Sequence, residues 1–185
     1  MNIIIDVMKK QKKKDLIGVE IGVWKGTNAK NILNNLDVKK LYLIDPYLRY
    51  IDFPDGFMTK DLDERTPHKL DWSNPQEKLN EAERIAKEKL KEYKNKTIWI
   101  KKLSVYAIDE IPDEIDFVYV DGNHKYDYVK FDIVNFFKKI RKGGILCGDD
   151  YNDKCFEVKK AIDDFVEENH SLKLNTFERY WWIIK

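Results

Sequence analysis

The sequence predicts a single α/β domain over residues 1–185: a mostly parallel seven-stranded sheet, wound by helices on both faces and ending in an antiparallel C-terminal hairpin. Three observations predict it. Short apolar runs rich in β-branched residues alternate with stretches whose apolar residues recur at helical spacing, the pattern of parallel strands joined by helical crossovers. Several of these runs end in a carboxylate. The last two runs, residues 172–174 and 180–184, have too little chain between them for a crossover and must pair antiparallel. A chain of 185 residues is long enough to bury a sizeable core in one domain.

Taken in order, residues 2–14 offer Ile4, Ile5 and Met8 as one short apolar face, which suggests a helix leading into the first strand. Residues 16–28 then read as a buried strand, a glycine loop and a helix start, with Thr27 or Asn28 as N-cap. Gly22 and Gly26 permit positive φ and bring bare backbone close to a ligand, and Glu20 can accept hydrogen bonds from it. The spacing is Glu-x-Gly-x-x-x-Gly and not the Gly-x-Gly-x-x-Gly of dinucleotide binders. A carboxylate where a pyrophosphate would lie repels phosphate and suits a cation or a hydroxyl-rich group. Ala29, Ile32, Leu33 and Leu36 continue as a helix on the sheet. Residues 41–47 form a second strand ending at Asp45, about nineteen residues after Gly26, near the distance at which an acid on the neighbouring strand reaches a ribose diol. The competing role for Asp45 is a strand-end cap.

Residues 48–73 show no sustained period and read as an irregular insertion, where a substrate lid is expected. Its aromatics and their neighbour (Tyr47, Tyr50, Phe53, Phe57 and Trp72) could stack on sugar rings or simply pack. A charged helix follows from Gln76 to about Tyr93, capped by Asn74 with Pro75 in its first turn. Residues 97–100 are a third strand, and Ser104 stands where it could cap the next helix. Residues 115–121 are a fourth strand, ending at Asp121. The helix after it carries Val129, Ile133, Phe136, Phe137 and Ile140 and is expected to stop at a glycine C-cap, Lys142-Gly143-Gly144. A fifth strand ends at Asp149-Asp150, and a helix through Phe156, Ala161, Ile162 and Phe165 leads to the hairpin.

In open α/β sheets ligands bind beyond the carboxyl ends of the strands. Glu20, Asp45, Asp121, Asp149 and Asp150 all fall there, and carboxylates converging on one rim repel unless cations or donors lie between them. Asp121, Asp149 and Asp150 suit a hard divalent ion such as Mg²⁺, which favours oxygen ligands and leaves positions for a hydroxyl-bearing substrate.

The acidic residue followed by glycines at 20–26 resembles the first motif of the class I S-adenosylmethionine-dependent methyltransferases. The resemblance implies a Rossmann-like fold, and Glu20, Gly22, Gly26 and Thr27 around the methionine part of the cofactor. It also implies Asp45 on the ribose, Ser104 against the adenine and Asp121 nearby. Residues 120–126, Val-Asp-Gly-Asn-His-Lys-Tyr, and 143–151, Gly-Gly-Ile-Leu-Cys-Gly-Asp-Asp-Tyr, are similar to blocks of small O-methyltransferases acting on sugars and macrolide-linked sugars. They also parallel the metal-dependent catechol-type enzymes. That likeness implies Asp121, Asp149 and Asp150 as metal ligands and His124 as the base near the acceptor hydroxyl, with Lys125 and Asp150 as substitutes. The chain departs from the sugar-acting group at Asp149, where histidine is often found. The expected activity is a metal-assisted O-methyl transfer from S-adenosylmethionine to a hydroxyl of a sugar or other small molecule. The competing readings are a non-catalytic binding module and a nicotinamide-dependent oxidoreductase.

Composition narrows the partners. A net charge of +1 gives no field toward nucleic acid or a membrane surface, and the lysines at 9–14 lack the interleaved aromatics of a nucleic-acid face. A small-molecule or glycan acceptor is the expected partner, with a homo-oligomer left open. Cys147 lies in an apolar run, the two cysteines have no metal-type spacing, and the opening apolar residues are too few for a signal sequence. A cytoplasmic location is the expectation.

Overall fold

The structure is a computed structural model that describes residues 3–48 and 74–185. The described residues form one seven-stranded sheet in the order β3-β2-β1-β4-β5-β7-β6. Its strands are β1 (Leu16–Ile21), β2 (Val38–Ile44), β3 (Thr97–Ile100), β4 (Ile115–Val120), β5 (Ile140–Gly148), β6 (Asn175–Phe177) and β7 (Tyr180–Ile184). β1 to β5 are mutually parallel; β7 pairs antiparallel with β5 and with β6. The sequence-based fold, a parallel sheet closed by a hairpin, is the one observed.

Side-chain alternation sorts the core into two layers. Leu41, Leu43, Phe117, Tyr119, Ile145 and Cys147 face α1 (Ile3–Lys10), α2 (Thr27–Asn35) and α3 (Pro75–Lys89). Their neighbours Val19, Ile21, Ile44, Val118, Val120 and Leu146 face α4 (Ser104–Ala107), α5 (Tyr126–Lys139) and α6 (Phe156–Glu168). Gly18 is required on the first face, because a Cβ there would lie 2.1 Å from the Phe117 ring.

The chain reverses its direction of winding between β1 and β4, so the loops leaving these two adjacent strands diverge and open a crevice. Register makes the rim of that crevice level. Ile44 pairs Ile21 and Ile100, Val120 pairs Ile21, and Gly148 pairs Val120. Gly22, Asp45, Asp121 and Asp149 each follow one of these residues, so the acidic groups emerge at one height.

Several boundaries differ from the sequence expectation. α5 ends at Lys139, and Ile140 is already extended, so Gly143 and Gly144 do not cap a helix. They form an irregularity in β5, with Gly143 at φ 75° and no room at Gly144 for a Cβ, which would lie 2.4 Å from Ile140. Gly26, at φ 67°, occupies the N-cap of α2 in place of Thr27 or Asn28, and no side chain caps that helix. Leu103, not Ser104, occupies the N-cap position of α4, and no side chain caps that helix. The hairpin's first strand lies at 175–177 rather than 172–174. Asn74 does cap α3, accepting from the Glu77 amide at 3.3 Å. The insertion expected over 48–73 lies outside the described residues apart from Leu48.

Candidate functional site

The glycine loop leaves β1 through Gly22 at φ 85°, where a Cβ would lie 2.0 Å from the Asp121 carbonyl oxygen. Gly26 is crowded in the same way by Ala86 and Leu90 of the α3 segment, at 3.2–3.3 Å. Both glycines therefore satisfy the expected positive φ, and what presses on their missing Cβ atoms is the chain's own packing.

Asp45 braces this loop. Its Oδ2 accepts from the amides of Val23 at 3.0 Å and Trp24 at 2.8 Å, and its Oδ1 from that of Tyr47 at 2.9 Å. Of the two roles open to Tyr47, sugar stacking or packing, the structure shows packing: it is buried, and its hydroxyl donates to the Trp24 carbonyl at 2.8 Å. Burial raises the Asp45 pKa against the pull of those three amides. With about four lone-pair sites on a carboxylate, three donors leave Asp45 little capacity to grip both hydroxyls of a diol.

Glu20 is 1% exposed. Its Oε1 accepts from the Asn28 side chain at 3.1 Å, while Oε2 is buried with no hydrogen-bond partner. Burial, opposed by Asn28 and reinforced by Asp45, pushes its pKa up to about 8. A buried carboxyl with an unsatisfied oxygen beside a glycine loop is a fitting partner for a cationic ligand group.

Across the crevice, ligand atoms of Asp121, His124 and Asp150 lie within 4.8 Å of one another. His124 Nε2 stands 3.1 Å from Asp150 Oδ2. Asp121 has its pKa raised well above the carboxylate range, by burial first and then by Asp149, Asp150 and Glu20. Asp150 is held down to about 2: burial opposes its charge, but His124, Arg179 and the Cys155 thiol outweigh it. The backbone at Asp150 is left-handed, φ 62°, and its amide donates to Asp149 Oδ1 at 2.7 Å.

Three expected site residues turn elsewhere. Asp149 does not join the set of potential ligands: both its oxygens are bonded by Nε and Nη2 of Arg179, and His124 stands with Asp121 and Asp150 in its place. Thr27 is exposed and its hydroxyl accepts from Lys89 at 2.7 Å. The Ser104 side chain is hydrogen-bonded to Asp132, a buried acid of α5 whose pKa burial pushes up to about 7. Glu20, Asp121, Asp150 and His124 are brought together, with Asp45 behind the loop. Sequence reasoning missed Arg179, a cation on the hairpin turn facing the acidic rim, and a search for a counter-charge to those carboxylates could have found it.

A family model described as a methyltransferase domain matches residues 19–151, the stretch from β1 through the Asp149-Asp150 pair. The chain belongs to this family. The methyltransferase domain thus carries the loop, the switch point and the acidic rim in one matched span, and the expectation of a class I S-adenosylmethionine-dependent methyltransferase is met at family level. A curated relative, uncharacterized protein R132 of Acanthamoeba polyphaga mimivirus, is 27% identical over 90% of this chain, which spans 66% of that protein. The solved structure of the O-methyltransferase NovP superposes with a TM-score of 0.65 at 21% identity, over 97% of this chain and 75% of NovP. An O-methyltransferase from Bacillus cereus, solved in complex with SAH, gives a TM-score of 0.66 at 10% identity, over 98% of this chain and 79% of its own. At such identities the two structures establish the shared fold. No helix among the described residues is long and apolar enough to cross a membrane.

Proposed function

We propose that the chain transfers a methyl group from S-adenosylmethionine to a hydroxyl of a sugar or other small molecule, assisted by a divalent ion. The observation that carries this reading is the meeting of Asp121, His124 and Asp150 across from the unsatisfied oxygen of Glu20. S-adenosylmethionine, when bound, supplies a methyl group already activated by the sulfonium charge. Glu20 and the loop from Gly22 to Gly26 would hold it, with Asp45 bracing that loop from behind and Asp121 on the facing wall. Glu20 is suited to the cationic part because its second carboxylate oxygen lacks a donor.

The donor set also fits a divalent ion. Asp121 is crowded by Asp149, Asp150 and Glu20, a repulsion that a bound cation would relieve, and Asp150 is held ionised. Asp121 and Asp150 would hold the ion, which would lower the pKa of a coordinated hydroxyl. His124 is oriented by Asp150, and an imidazole is the side chain best suited to take the hydroxyl proton at neutral pH.

Calorimetric titration of the folded protein with S-adenosylmethionine tests the cofactor, and transfer of a labelled methyl group to a panel of sugars and diols, with and without chelator, tests the rest. Absence of binding ends the reading. Full transfer in excess chelator removes the ion from it. Tight binding with no transfer to any acceptor favours a non-catalytic binding module.

A further inference from the structure

We infer that Arg179 is a built-in cation that withholds Asp149 from the divalent ion, leaving two carboxylates, not three, to hold it. The inference rests on the metal-assisted reading above and concerns how the chain sets the strength of that site.

Asp149 sits at the same strand-end height as Asp121 and is 7% exposed, so by position it is placed to be a third ligand. Three of its about four lone-pair sites are committed elsewhere. Arg179 engages Oδ1 through Nε and Oδ2 through Nη2, and the Asp150 amide takes Oδ1 again at 2.7 Å. A side-on guanidinium and a hard ion compete for the same oxygens, and a guanidinium does not yield by losing its proton. The backbone of Arg179 is also fixed from behind. Its carbonyl accepts from the Tyr151 amide at 2.9 Å, and Trp181 Nε1 donates to the Asp149 carbonyl at 3.2 Å. These bonds join the hairpin turn to the end of β5 and so hold the Arg179 backbone beside Asp149, within reach of a side-on pair.

The same geometry leaves Asp150 available. Arg179 Nη2 is 4.0 Å from Asp150 Oδ1, beyond hydrogen-bond reach, while Asp150 Oδ2 faces His124. Arg179 therefore divides the adjacent acids: one is neutralised and structural, the other remains in the cluster with Asp121. Arg179 lies outside the residues 19–151 that carry the family pattern, so the carboxylates and the cation that restrains one of them come from separate parts of the chain.

The test is Mn²⁺ titration, read from the electron paramagnetic resonance signal of the free ion, on the wild type, Arg179→Gln, and Arg179→Gln combined with Asp149→Asn. Release of a third carboxylate should tighten Mn²⁺ binding by Arg179→Gln by about tenfold or more. The double variant, with the same local charge as the wild type, should bind within about threefold of it. Equal or weaker binding by Arg179→Gln overturns the inference. So does a loss of about tenfold or more in the double variant, which would mean that Asp149 already ligates. If Arg179→Gln fails to fold, the double variant decides alone. Absence of Mn²⁺ binding by all three proteins removes the metal reading and the inference with it, whereas wild-type binding left unchanged by Arg179→Gln removes the inference only.

Discussion

Asn28 donates to one oxygen of Glu20 at 3.1 Å and leaves the other buried without a partner. Keeping an acid in this state costs stability. Because the pKa of Glu20 is raised in the folded state, to about 8 from 4.5, the native protein binds the extra proton across that interval. Stability contributed by the protonated form is complete below about pH 4.5 and is lost as pH rises toward 8. Glu20→Gln should flatten that dependence, raise the melting temperature at pH 8, and weaken S-adenosylmethionine binding by about tenfold or more. Melting curves from pH 5 to 8 together with calorimetry check it; an unchanged slope would show that Glu20 does not titrate in this window.

Asp45 holds three backbone amides of the loop region, so its removal should loosen the loop more than the sheet. Asp45→Ala is expected to cost about 3 kcal/mol, with amide exchange accelerating first at Val23, Trp24 and Tyr47. Asp45→Asn, which keeps one acceptor oxygen, should retain part of that protection. Hydrogen exchange resolved by residue distinguishes this brace from a purely solvent-facing cap.

At the opposite end of the sheet, Asp116 accepts from Lys13 Nζ at 2.5 Å, Arg141 Nε at 2.6 Å and the Ile17 amide at 2.8 Å. Burial alone would raise its pKa, yet these partners bring it below the ordinary value of 3.8. Its stabilising contribution is therefore present above about pH 3.8 and is lost as pH falls through the lower folded value. Asp116→Ala, which strands two cations and an amide, should cost about 3–5 kcal/mol by urea denaturation at pH 7.

In the acceptor half, Asp121→Asn should abolish the chelator-sensitive part of methyl transfer while the protein stays folded. His124→Ala should lower the transfer rate by about 10²-fold or more and change cofactor affinity little. Single-turnover rates beside calorimetric affinities separate the two effects, and equal losses in rate and affinity would argue against a base.

The alternation of strands and helices, the hairpin and the acidic strand ends were legible because each depends on local pattern: apolar runs of strand length, helical spacing between them, and a carboxylate where several of the runs stop. The glycine pair at 143–144 misled because Gly after a basic helix end signals a C-cap, while in the fold Gly144 is needed where its Cβ would strike Ile140. Thr27 and Ser104 had the right chemistry for cofactor contacts, but Lys89 and Asp132, each distant in sequence, claim their hydroxyls. The partition between Asp149 and Asp150 was illegible for the same reason: it is decided by Arg179, on a turn some thirty residues further along the chain.

The left-handed backbone at Asp150 has a consequence for evolution as well as for mutagenesis. Residues with a short polar side chain tolerate that conformation far better than alanine or any branched residue, and glycine tolerates it best. Drift at this position is therefore channelled toward aspartate, asparagine and glycine, so a single amide substitution could remove the charge from the rim while keeping the loop's shape intact.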